Sequence, residues 1–243
     1  MKILSDYTWP EAGMSGCVQD TLLLKQVRTG ESTILFACIC QETVSGNSTG
    51  EKLPADGRKA GQAGGYMTER LAEWFYKKGL LLCRKDIKDK RIKQELLSCI
   101  SRAAQELKQF GQKYGNPVFL ELTCCLLMNN RFWLLNSGGN KVFVLNRRFQ
   151  RAHIRQIRFA AGNIGESERI PEIVCGGMQK GLGILLCTRD FLSGLDEMEI
   201  EQCLAVADIT TQIQIRKRLK EIQLHGRSER PAGSAICFVM PED

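Results

Sequence analysis

Apolar and polar positions alternate along this chain in short blocks of changing period. Residues 18–28 (VQDTLLLKQVR) and 33–40 (TILFACIC) are brief apolar segments separated by Thr29-Gly30-Glu31, a spacing that predicts a β-hairpin. Residues 41–65 then turn polar and rich in Gly, Ser and Asn, and read as a long loop. Met67, Leu71, Trp74 and Phe75 fall at i, i+4, i+7 and i+8, which predicts a helix from about Tyr66 to Gly79. A longer helix is expected over 86–111, with Ile92, Leu96, Ile100, Ala103, Ala104, Leu107 and Phe110 as its apolar stripe and Gly111 within its stop signal.

Three strands should follow at 118–128, 131–137 and 141–147. They are joined by Asn129-Asn130 and Gly138-Gly139-Asn140, and such short turns predict an antiparallel meander. A further strand is expected at 152–159, while 160–181 carries only a weak pattern. A buried strand at 182–188 precedes two helices. The first has Asp196 and Glu199 in a capping-box arrangement and Ile200, Cys203, Leu204 and Ala207 as its apolar face. The second, near 209–224, buries Ile215, Leu219 and Ile222. An apolar strand at 234–240 closes the chain. The pattern supports an α+β domain of layered, mostly antiparallel sheets covered by helices, and leaves the topology open.

Composition narrows the class. At 243 residues with 43% apolar and 25% charged positions, the chain is expected to form one globular domain over 1–243 rather than a disordered segment. No apolar run is long enough for a membrane span, and residues 1–11 carry no signal-peptide core. Most of the 11 cysteines, among them Cys38, Cys40, Cys124, Cys125, Cys187 and Cys237, sit inside apolar runs and read as small core hydrophobes, which points to a reducing cytoplasm. The net charge of +7 comes partly from clusters around Arg84–Lys93 and Arg147–Arg158. They suit an acidic or phosphorylated protein partner and equally an idle solvated surface. With no interleaved aromatics, nucleic acid is not expected.

Several residues read as ordinary structure. His153 belongs on an exposed strand and His225 at a helix end, neither beside a nucleophile. The Gly-Gly pairs at 64–65, 138–139 and 176–177 lack a phosphate-loop context. Trp74 and Trp133 are expected in the core, and Trp9 is expected to pack down from a short N-terminal arm.

Four strings and the order of elements resemble the PP2C-type metal-dependent Ser/Thr phosphatases, over about residues 13–240. Gln19-Asp20 followed by Thr21-Leu22-Leu23-Leu24 is similar to the N-(E/Q)-D-x-φ entry, φ being apolar. Residues 35–41 (LFACICQ) are similar to L-F-x-V-x-D-G, and 136–145 (NSGGNKVFVL) to N-x-G-D-S-R-x-Y-x-φ. Residues 185–191 (LLCTRDF) are similar to L-L-x-S-D-G-φ. The closing 231–236 (PAGSAI) stands where the family has D-N-x-T-x-φ. The resemblance implies a four-layer α-β-β-α sandwich and, in the family, two Mn²⁺ or Mg²⁺ ions held by aspartates, one of them activating a water toward phosphorus.

At those aspartate positions only Asp20 remains. The others read as Cys40 (followed by Gln41), Gly139, Arg189 and Pro231, and the G-D-S-R arginine reads as Lys141. Arg189 places a cation where a dication is expected. At ~4 Å and an effective dielectric near 20, a unit pair repels by about 4 kcal/mol, and a dication roughly doubles that. The resemblance therefore implies a degenerate member with no cofactor and no catalytic residues, in which Arg189 pairs with Asp20. It would act by binding a Ser/Thr kinase, its substrate or an active phosphatase. The alternative is an active phosphatase that uses Mn²⁺ or Mg²⁺ on Asp20 with Asp190, or with Glu42, Glu51 or Asp56 from the long loop. A zinc site on Cys38, Cys40 and Cys187 is weighed and set below buried core thiols.

Overall fold

In a computed structural model, the described residues are 2–9, 20–30, 32–43, 62–83, 87–113, 119–148, 151–159, 162–164, 171–192, 195, 197–203, 209–225 and 233–241. They form two five-stranded antiparallel sheets and four α-helices. One sheet has the order β2 (Asp20–Thr29), β3 (Ser32–Thr43), β4 (Phe119–Met128), β5 (Arg131–Ser137) and β8 (Ile173–Gly177). The other runs β1 (Leu4–Thr8), β10 (Ala235–Val239), β9 (Leu182–Cys187), β6 (Lys141–Arg148) and β7 (Arg151–Ile157). The helices are α1 (Gln62–Lys77), α2 (Asp89–Lys113), α3 (Glu197–Cys203) and α4 (Gln212–His225).

Period-two alternation sorts the strands' side chains into three cores. On β3, Leu35, Ala37 and Ile39 face the second sheet and meet Ile184, Ile236 and Phe238. Phe36, Cys38 and Cys40 face the other way, under α1 and α2. Phe36 stacks on Phe75 of α1 at 5.4 Å between ring centroids, and such a pair adds about 0.5–1.5 kcal/mol beyond burial. Leu185, Cys187 and Cys237 line a third core with Ile215, Leu219 and Ile222 of α4. The result is the expected four-layer α-β-β-α sandwich. Among the described residues, no helix is long and apolar enough to cross a membrane.

The hairpin forms around Gly30, whose φ of +58° suits glycine. Helix α1 starts four residues earlier than its apolar period suggests, because the Ala63 N–H donates to Glu42 Oε2 of β3 at 3.3 Å. Helix α2 runs past Gly111. Strands β1 and β8 lie in stretches read as an arm and as weakly patterned. Trp9 is 55% exposed and stacks on Tyr7, so the expectation that it packs down is corrected. His153 lies exposed on β7 as expected. Asp196, expected to cap α3, lies outside the described residues.

The expected three-strand meander is also corrected. Strand β5 ends with Ser137 paired to Leu122, whereas β6 begins with Lys141 paired to Cys187 in the opposite sheet. The turn Gly138–Gly139–Asn140 therefore carries the chain from one sheet to the other. Gly138 takes φ +93°, and the Asn136 side-chain amide donates to the Asn140 carbonyl at 2.9 Å to hold the crossing.

Candidate functional site

The crossing turn brings the ends of both sheets together. From the first sheet come Asp20, Gln41 and Glu121, directly opposite one another on three neighbouring strands and therefore on one face. From the second sheet come Arg189, which opens a 3₁₀ turn (Arg189–Leu192) after β9, and Ser234 just before β10. Reciprocal bonds tie the second pair of ends. The Thr188 N–H donates to the Ser234 carbonyl at 3.0 Å, and the Ser234 N–H donates to Thr188 Oγ1 at 2.9 Å.

Arg189 Nη2 lies 2.8 Å from Glu121 Oε1. The glutamate side chain is 4% exposed and the arginine side chain 63%. Among the described residues, Glu121 Oε2 is buried with no hydrogen-bond partner, and the arginine is the counter-charge of this buried carboxylate. Gly139 makes the contact possible: a Cβ at that position would collide with the Arg189 guanidinium. The glycine at the turn and the arginine at the end of β9 fit as a pair.

Asp20 accepts a hydrogen bond from Gln41 Nε2 at 3.1 Å. Burial holds its carboxyl above the usual range; Ser234 and Gln41 pull it back, and the charges of Asp190 and Glu121 push it up again. Ser234 Oγ lies close enough to favour the charged form of Asp20, and among the described residues it is buried with no other hydrogen-bond partner.

Arg189 thus pairs with Glu121, which corrects the expected bridge to Asp20. Asp20 is stabilised by an amide instead. Cys40 is also displaced from the site: its thiol lies in the core under α1, where burial pushes its pKa well up, and the neighbouring Gln41 faces Asp20. One residue of register moves a side chain to the opposite face of the sheet. The weighed zinc trio is separated, with Cys38 and Cys40 under α1 and α2 and Cys187 against α4, two sheets apart. Asp190 is exposed, and its charge reaches Asp20. Glu42 caps α1. Glu51, Asp56 and Pro231 lie outside the described residues.

Sequence reasoning missed Glu121 and Ser234. The signal for the first was present: a lone acid in the apolar run FLELTCCLLM must be buried, and a buried carboxylate needs a partner.

The donor set can be tested against a pair of divalent ions. Among the described residues, no three His, Cys, Asp or Glu side chains gather into a group that could hold a metal. The guanidinium lies on Gly139 and neutralises Glu121, a neighbour of Asp20. The described residues do not fit a two-metal centre.

No family model matches the sequence, and neither does any curated protein. The fold has many solved counterparts. Serine/threonine phosphatase Stp1 from Staphylococcus aureus superposes with a TM-score of 0.73 at 14% identity, covering 100% of this chain and 96% of that one. A bacterial serine phosphatase gives 0.68 at 16% identity, covering 100% and 99%. The catalytic domain of serine threonine protein phosphatase PstP, in complex with two manganese ions, gives 0.63 at 14% identity, covering 92% and 98%. The fold is that of the PP2C-type Ser/Thr phosphatases. The last comparison corrects the expectation of no cofactor: this is a fold on which a relative carries two manganese ions.

Proposed function

On the fold of a PP2C-type phosphatase, we propose that this chain is a single-domain pseudophosphatase, a cytoplasmic protein-binding module that does not hydrolyse phosphoesters. The observation that carries the reading is the Arg189–Glu121 ion pair seated on Gly139 beside Asp20. Hydrolysis of this type needs carboxylates free to organise an attacking hydroxide around phosphorus. Here one buried carboxylate is neutralised by a guanidinium and another is hydrogen-bonded to an amide. Asp20, Gln41, Gly139, Arg189 and Asp190 are then remnants of a phosphatase site, kept as a packed end of the sandwich.

The intact scaffold supports binding as the remaining role, in Ser/Thr phosphorylation signalling, with a kinase, its substrate or an active phosphatase as partner. Free, mostly buried thiols among the described residues support a reducing compartment.

The test is hydrolysis of p-nitrophenyl phosphate and of a phosphothreonine peptide across a Mn²⁺ series up to the millimolar range. No metal-dependent turnover is expected. Turnover that disappears in Asp20→Ala would overturn the reading and make the chain an enzyme using Asp20 with Asp190.

A further inference from the structure

Helix α4 buries Ile215, Leu219 and Ile222 against the second sheet. At 100° per residue, the opposite side of the helix is the line Ile213, Lys217, Lys220 and Leu224. Its two ends are apolar, with Ile213 79% and Leu224 71% exposed. They stand eleven residues apart, about 16 Å along the axis at ~1.5 Å per residue. Between them lie two lysines, both exposed. Arg216 flanks the line and pairs with Asp6 at 3.1 Å. Glu221, on the other flank, is engaged by Arg218 at 3.2 Å and more loosely by Lys217 at 4.0 Å, whose side chain stays 76% exposed. Trp9, another exposed apolar side chain, follows Thr8, whose hydroxyl donates to Gln223 Oε1 at 3.0 Å near the C-terminal end of the same helix.

We propose that this face of α4 docks an acidic amphipathic helix of a partner protein, with Ile213 and Leu224 as apolar anchors and Lys217 and Lys220 as the charges that set its register. The inference deepens the reading of the chain as a binding module and rests on it. Charge selects the occupant. A second copy packed antiparallel would match Ile213 to Leu224 but would bring four lysines together at the dyad, which like-charge repulsion opposes. An anionic lipid surface would accept the lysines. It also calls for a continuous apolar stripe to insert, and here the apolar positions are two points separated by charge. A helix with apolar residues about three turns apart and acids between them satisfies both features.

The test uses the full chain and a fluorescein-labelled helical peptide carrying leucines at both ends of one face and glutamates between them, read by anisotropy. Wild-type protein is expected to bind, more weakly as added salt shortens the screening length from about 10 Å at 0.1 M to about 3 Å at 1 M. Lys217→Glu/Lys220→Glu should weaken binding about tenfold or more and bind a lysine-for-glutamate peptide instead. Ile213→Ser/Leu224→Ser should lose both. All four positions face solvent, so an unchanged Tm is the control. Equal binding by these variants, or no binding at near-millimolar peptide, overturns the proposal. So does binding of phosphatidylserine vesicles, or a dimer, that depends on Ile213 and Leu224. Metal-dependent hydrolysis would sink the pseudophosphatase reading while leaving the peptide result intact, so the two failures are distinguishable.

Discussion

Gly139→Ala perturbs the site at one atom. The added methyl occupies the place of the Arg189 guanidinium, whose displacement is expected to break its contact with Glu121. At the 2.8 Å separation, Coulomb's law gives about 6 kcal/mol at an effective dielectric near 20 and about 1.5 kcal/mol in water. Because Arg189 is 63% exposed, solvent screening brings the effect to the lower end, about 2 kcal/mol. Part of that cost is the buried Glu121 carboxylate losing its Arg189 counter-charge. Arg189→Ala removes the same interaction without a collision and should also cost about 2 kcal/mol. The double variant should therefore cost about 2 kcal/mol rather than 4, a coupling of about −2 kcal/mol. Urea unfolding at pH 7 and low salt, followed by tryptophan fluorescence, measures all three. If the double variant costs the sum of the singles, or Gly139→Ala shifts stability by less than about 0.5 kcal/mol, glycine and arginine are not a matched pair.

Gly233→Ala should be more damaging than any exposed change, by about 3 kcal/mol or more, since φ is +78° and a Cβ would press on the Phe191 backbone and on Thr188 Oγ1; a thermal melt measures the loss. Burial pushes the Cys99 thiol up to about 11 and the Cys237 thiol up to about 12, so at pH 8 only about a thousandth of Cys99 is thiolate. Alkylation of both by iodoacetamide, located by peptide mass mapping, should be slow in the native protein, accelerate for Cys99 as pH climbs toward 11, and become fast on unfolding. Fast native labelling of Cys237 at pH 8 would contradict its place in the core.

Local pattern along the chain was sufficient for most elements, because hydrophobic period is a property of neighbours. The stripe of α2 from Ile92 to Leu107, the buried face of α4 and the hairpin about Gly30 are all readable from spacing alone. Strands β1 and β8 were not, since LSDYT and IVCGG are too short and too mixed to show alternation; distant strands pair with them and make them strands. At the candidate site, the sequence alone brings Gly139 and Arg189 into view, at positions where the resemblance leads one to expect carboxylates. It could not determine what Arg189 touches, because its partner Glu121 is 68 residues away on the other sheet. Nor could it show that 138–140 changes sheets, or that Gln41 rather than Cys40 faces Asp20. Those depend on strand register and on how two sheets stack, and tertiary packing decides both.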